Sequence, residues 1–87
     1  MTVYVDDMYR SPMGQYGRMK MSHMAATTTQ ELLEMADNIG LEHHWIQDKG
    51  KWNEHFDVSM SKRKQAIRHG AVEVTQRELA KLLIKKL

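Results

Sequence analysis

Cysteine is absent from these 87 residues, so neither a disulfide nor a thiolate-bound zinc supports the fold. A chain this short lies near the lower size at which one core is stable by itself. Stability must come from packing, a bound ligand or self-association, so a homo-oligomer is one expectation. No apolar run approaches the roughly 20 residues of a membrane span, and the start shows no signal-peptide pattern. The expectation is a cytoplasmic protein with no membrane partner. A strong excess of one charge is also lacking: the net charge is +2 with neutral histidines, too weak for a protein that coats duplex DNA. Internal repeats and low-complexity tracts are missing. Hydrophobic residues at 41% and charged residues at 28% are ordinary for a folded chain, and residues 1–87 read as a single domain.

The charge that is present is uneven. Lys62, Arg63, Lys64 and Arg68 cluster in one stretch, and Arg77, Lys81, Lys85 and Lys86 in the last. Such clusters suit a small anionic ligand or a short nucleic acid. Eight residues are methionine, with Met8, Met13, Met19, Met21 and Met24 in one early segment. Methionine fills irregular cores and also adaptable binding surfaces; core filling is the commoner role.

Thr2-Val3-Tyr4-Val5 reads as a strand ending at Asp6-Asp7. In open α/β sheets ligands gather beyond the carboxyl ends of strands, so both aspartates are candidate metal ligands. Equally, two aspartates can simply stop a strand. Ser11-Pro12-Met13-Gly14, which holds the only proline, is a loop. Arg18 to Met24 alternates polar and apolar residues, a strand signature. It puts Arg18, Lys20 and Ser22 on one face and Met19, Met21 and His23 on the other. Such a strand would be short and suited to an edge; as a loop, the segment would close over a site as a lid.

Thr28 with Glu31 has capping-box spacing, Leu32, Met35, Ala36 and Ile39 follow helical periodicity, and Gly40 is the stop. His43 to Gln47 reads as a second main strand, with Trp45 in the core. Trp52 either covers the core or stacks on a base. Ala71 to Val74 reads as a third strand. Thr75 and Glu78 cap a last helix striped by Leu79, Leu82, Leu83 and Leu87. The order predicts a small α/β domain, with about three mainly parallel strands alternating with three helices.

The junction His55 to Lys64 stands out. His55 and Asp57 are two apart, so extended backbone points both to one face and Phe56 to the other. Ser59 or Ser61 then caps a helix whose first turn carries Lys62, Arg63 and Lys64. Cations at a helix start are unfavourable and would be relieved by an anionic ligand. A paired histidine and aspartate, with serines that only cap, is the plainer alternative.

Together, Val3 to Met8, Tyr16 to Met24, His55-Phe56-Asp57 and Ser61-Lys62-Arg63 resemble Domain of Unknown Function family 4031 over almost the whole chain. That is a small family of bacterial and tailed-phage proteins with a His-Tyr-Asp signature, here departing at Phe56. A tyrosine hydroxyl is therefore not required at that position. The resemblance implies a recurring set of polar residues and a phage or bacterial accessory role, without an activity.

Three functions follow as expectations. The first is binding of a nucleotide or other phosphorylated small molecule, as a signalling-nucleotide sponge. Arg18, Lys20, Ser59, Ser61, Lys62 and Arg63 would hold phosphate, and Trp52 would stack the base. The second is a metal-dependent phosphodiester hydrolase, with Asp6, Asp7 and Asp57 on Mg²⁺ or Mn²⁺ and His23, His55 and Asp57 as catalytic groups. The third is a protein-binding inhibitor module using the methionine-rich segment. Residue types favour the first two, and phosphorylated-ligand binding stands first.

Overall fold

A computed structural model describes residues 2–87, Tyr16 by its backbone alone. Among them the chain forms β1 (Val3–Val5), β2 (Gln15–Tyr16), β3 (Met19–Ala26), α1 (Thr29–Ile39), β4 (Phe56–Ser59), α2 (Met60–Arg68), β5 (Val72–Glu73) and α3 (Gln76–Ile84). Short 3₁₀ turns occupy Met8–Arg10, Pro12–Gly14 and His43–Trp45.

The main sheet runs β4-β3-β1-β5, and β2 pairs with the outer end of β3 as a hairpin. β1 and β3 are antiparallel, β3 and β4 are antiparallel, and only β1 and β5 are parallel. The expected mainly parallel sheet is therefore a mixed, mostly antiparallel one. Its cause is β3. Far from a short edge or a lid, Met19–Ala26 is the longest strand and lies at the centre. β1, β4 and β5 all run one way, so one reversed strand between β1 and β4 makes both of those pairings antiparallel.

A second correction concerns His43 to Gln47. The segment makes a 3₁₀ turn, and only Gln47 is sheet-like, through an isolated bridge to His55. Trp45, expected in the core, is 51% exposed. Both neighbouring histidines bond carboxylates beside them: His43 meets Asp37 and His44 meets Glu42. These local pairings compete with extension.

The helices begin where their caps predict. Thr28, Ser59 and Thr75 each accept a backbone N–H with the side chain, and Thr75 with Glu78 completes a reciprocal box. Gly40 ends α1 at φ 77°, a left-handed turn that glycine adopts without a Cβ clash. α1 and α2 cover one sheet face, where Val3, Val5, Met24, Ala26, Phe56 and Val58 meet Leu32, Met35, Ile39 and Ala66. α3 covers part of the other, where Leu79 and Leu83 pack on Ala25 beside Tyr4 and Val74. The sheet is thus sandwiched unequally. No helix of the described residues is long and apolar enough to cross a membrane.

Candidate metal centre and cleft

Strand alternation decides which side chains meet on the α3 face. The β3–β4 register pairs His23 with Asp57. Just beyond the β1–β3 ladder, Asp6 N–H donates to the His23 carbonyl at 3.0 Å. Asp6, His23 and Asp57 therefore form a row across three strands, with His55 two residues from Asp57 on the same face. The two imidazoles meet edge-on, 5.0 Å between ring centroids.

Each ring is held by its Nδ1. His23 Nδ1 lies 2.7 Å from Asp6 Oδ2, while Asp6 Oδ1 accepts the backbone N–H groups of His23 at 2.9 Å and Met8 at 3.1 Å. His55 Nδ1 is 2.8 Å from the Asn53 carbonyl. A carbonyl only accepts, so Nδ1 of His55 carries the proton. Both rings thus turn Nε2 toward Asp57, whose Oδ1 lies 3.7 Å from His55 Nε2 and 4.0 Å from His23 Nε2. The other oxygen of Asp57 accepts from the Gln47 amide at 2.7 Å.

The result is a set of three donors, His23, His55 and Asp57, with ligand atoms within 4.8 Å of one another. Atoms bound to one ion at about 2.0–2.2 Å stand roughly 3–3.5 Å apart, so small side-chain rotations would close the set. Each donor already has an oriented outer partner: a carboxylate, a carbonyl or an amide. Metal-ligating histidines ordinarily need such partners. Two imidazoles and one carboxylate suit zinc, iron, cobalt or manganese better than magnesium.

His23 also responds to this setting. Its hydrogen bond to Asp6 holds its pKa above the ordinary histidine range, against the opposing effect of burial and with help from the charges of Asp6 and Asp57. Without an ion, a proton on Nε2 would face Asp57. A divalent ion would replace that proton with a stronger positive charge in the same space.

Beside the two rings, between the sheet and α3, lies an open cleft of about 270 Å³ lined also by Asp6, Trp52, Asn53, Gln76, Leu79, Ala80 and Leu83. The loop carrying Trp52 and Asn53 is closed by the Gln47–His55 bridge, with N···O distances of 2.8 and 3.1 Å. It is also pinned by Glu54, a buried carboxylate that accepts from the Thr29 hydroxyl and the Gly50 N–H.

The remaining expected site residues are dispersed. Asp6 and Asp7, read from sequence as metal ligands, are engaged internally: Asp6 as above, and Asp7 Oδ1 by the Gln76 N–H at the start of α3, 2.9 Å away. Lys62 and Arg63, read as phosphate-binding, also have internal partners. Lys62 Nζ donates to the Ile39 carbonyl at the end of α1, 2.6 Å away. Arg63 is 5% exposed; its Nε donates to the Asp6 carbonyl, Nη1 meets Glu73 at 3.2 Å, and its guanidinium stacks on Tyr9. Two of the three cations at the start of α2, Lys62 and Arg63, thus meet protein oxygens without a ligand. Ser59 Oγ serves as the cap, accepting from Lys62 N–H at 3.3 Å. Arg18, Lys20, Ser59 and Ser61 share a separate open depression. Trp52 stands in the cleft wall.

Gln47, Asn53, Glu54 and Gln76 carry no sequence signal for these roles, since each acts through a partner brought from elsewhere. Phe56, between the two donors of β4, points away from them into the core and is 1% exposed. The middle residue of the tripeptide therefore packs, while the outer two face the centre.

Neither a curated protein nor a solved structure matches this chain. A family model described as a protein of unknown function, DUF4031, matches residues 3–86. Nearly the whole chain is covered, outer donors and core position alike, and the protein belongs to the DUF4031 family.

Proposed function

We propose that this protein is a metal-dependent hydrolase whose single divalent transition-metal ion is held by His23 Nε2, His55 Nε2 and Asp57. The observation that carries the reading is the convergence of these three atoms, each with its orienting partner already in place, at the edge of an open cleft. Such an ion, when bound, acidifies water and polarises the oxygen of an electrophile. The chain's own residues do the rest. Asp6 fixes the His23 ring, the Asn53 carbonyl fixes His55, and Gln47 holds one oxygen of Asp57 so that the other faces the ion. The cleft receives the substrate beside the two rings. Three protein donors leave coordination positions open, as catalytic sites require and closed structural sites do not.

Titration of metal-free protein with Zn²⁺, Mn²⁺, Co²⁺ and Mg²⁺ by calorimetry tests the centre. The expected result is one tight equivalent of a transition-metal ion, lost in His23→Ala, His55→Ala and Asp57→Ala. Metal-dependent turnover of a panel of amides, esters and phosphodiesters tests the chemistry. Binding unchanged in all three variants would refute the assignment.

A second reading, binding of a phosphorylated ligand without turnover, has one observation on its side. Arg18, Lys20, Ser59 and Ser61 line one depression at the start of α2. Lys62 and Arg63 have other partners, so the depression carries two of the four expected cations, and this reading ranks second. A nucleotide panel separates the two: a sponge releases its ligand intact and loses affinity in Arg18→Ala.

A further inference from the structure

The cleft wall bears on the substrate, given the metal-centre reading above. At about 270 Å³, it lies just below the roughly 300–1,000 Å³ of drug-sized sites, so it takes a small group. Leu79, Ala80, Leu83 and Trp52 make it largely apolar, and its neutral polar groups are Asn53 and Gln76. Among the described residues no lysine or arginine lines it. Enzymes acting on phosphoryl groups ordinarily supply such cations to the non-bridging oxygens. Here those cations lie in the Arg18–Ser61 depression or bond the protein itself.

Asn53 adds a second observation. Its Oδ1 is the one buried side-chain polar atom among the described residues without a hydrogen-bond partner, and the residue borders the cleft. A buried acceptor without a donor is unfavourable. Oδ1 is closed to solvent in this rotamer, and a turn of the side-chain amide toward the cleft would let a ligand N–H relieve it.

We infer that the substrate is a small uncharged carboxamide bearing an apolar substituent. The substituent covers Leu79, Ala80 and Leu83 beside Trp52, and the amide N–H meets Asn53. The reaction consumes one water. Its oxygen bonds to the carbonyl carbon, the C–N bond breaks with its electron pair going to nitrogen, and the amine leaves with a proton from that water. Nothing is oxidised or reduced, and no co-reactant is needed.

Hydroxamates test this, because they chelate a metal while presenting an amide-like N–H and a chosen substituent. Acetohydroxamate, benzohydroxamate, N-methylbenzohydroxamate and phenylphosphonate are titrated into protein loaded with its preferred ion. Burial of the phenyl group is expected to make benzohydroxamate about tenfold tighter than acetohydroxamate. Methylation of the nitrogen weakens it severalfold, and phenylphosphonate binds more weakly than benzohydroxamate. Trp52→Ala, at a partly exposed position, reduces the phenyl advantage and leaves the ion titration unchanged. Phenylphosphonate binding tightest, or benzohydroxamate no tighter than acetohydroxamate, would overturn the inference while the metal centre stands. N-methylation without effect would overturn the amide assignment. A chain that takes no ion at all overturns the metal centre and this inference with it.

Discussion

On one face of the sheet, Val3, Val5, Met24, Ala26, Phe56 and Val58 are sealed beneath two helices. The alternate residues Tyr4, Asp6, His23, Ala25, His55 and Asp57 lie on the other, which is covered in part by one nine-residue helix, α3. α3 covers the end with Tyr4 and Ala25. It leaves the end with His23, His55 and Asp6 bordering a cleft. Both faces come from the same strands, so the division of labour rests on period-two alternation and unequal cover. The face with more apolar contact carries stability. The other can hold polar groups because Asp6, Asn53 and Gln47 supply their hydrogen bonds.

The largest expected effect is on the sealed face. Leu32 is fully buried, so Leu32→Ala should cost about 2–5 kcal/mol in urea unfolding, while the folded fraction still binds one equivalent of metal. A parallel fall in metal affinity would mean that the two faces are not independent. On the open face the balance reverses. An ion at about 100 times its Kd should stabilise wild type by roughly 2.7 kcal/mol. His55→Ala should abolish that gain and change metal-free unfolding by no more than about 1 kcal/mol, as thermal shifts with and without chelator would record.

Asp6→Asn sharpens the comparison, because Asp6 acts on the centre through His23 alone. Losing such an outer partner should weaken metal binding by about 10–100-fold, read by competition with a chromogenic chelator. Its pH signature has a definite sign. The folded protein holds the His23 proton more tightly than the unfolded chain does. That stabilisation is complete below the unfolded value near ~6.5 and disappears as pH rises through the raised folded value. Without metal, the stability gap between wild type and Asp6→Asn from this source should be wider at mildly acidic pH than at alkaline pH. Metal affinity runs the other way, rising with pH as the proton leaves. The smallest effects belong to the cations. Lys62→Ala should cost about 0.5–1.5 kcal/mol through its lost bond to Ile39. Exposed Arg18→Ala should stay within about 0.5 kcal/mol, and neither should alter metal binding.

Much of this arrangement is legible residue by residue. Caps at Thr28, Ser59 and Thr75 are local, because a side chain reaches an N–H only two or three positions away. The shared face of His55 and Asp57, and His23 on the opposite face from Ser22, follow from alternation. Lys62 and Arg63 show where such reading ends. Their position at the start of α2 suggests an anion site, yet successive helix residues diverge by about 100°. One reaches the end of α1 and the other reaches the Asp6 carbonyl just past β1. Asp6 is similar: its place at a strand end is visible, but its bond to a histidine 17 residues later is not.

By itself, then, the sequence determined where helices start and stop and which side of its own strand each residue occupies, since both depend on backbone geometry over a few neighbouring residues. Only the tertiary structure decided that β3 lies between β1 and β4, and with it that His23 meets Asp57 rather than solvent. Strand pairing is a choice among distant partners with similar hydrogen bonds. It is settled by how the whole chain buries its apolar surface, which no local pattern contains.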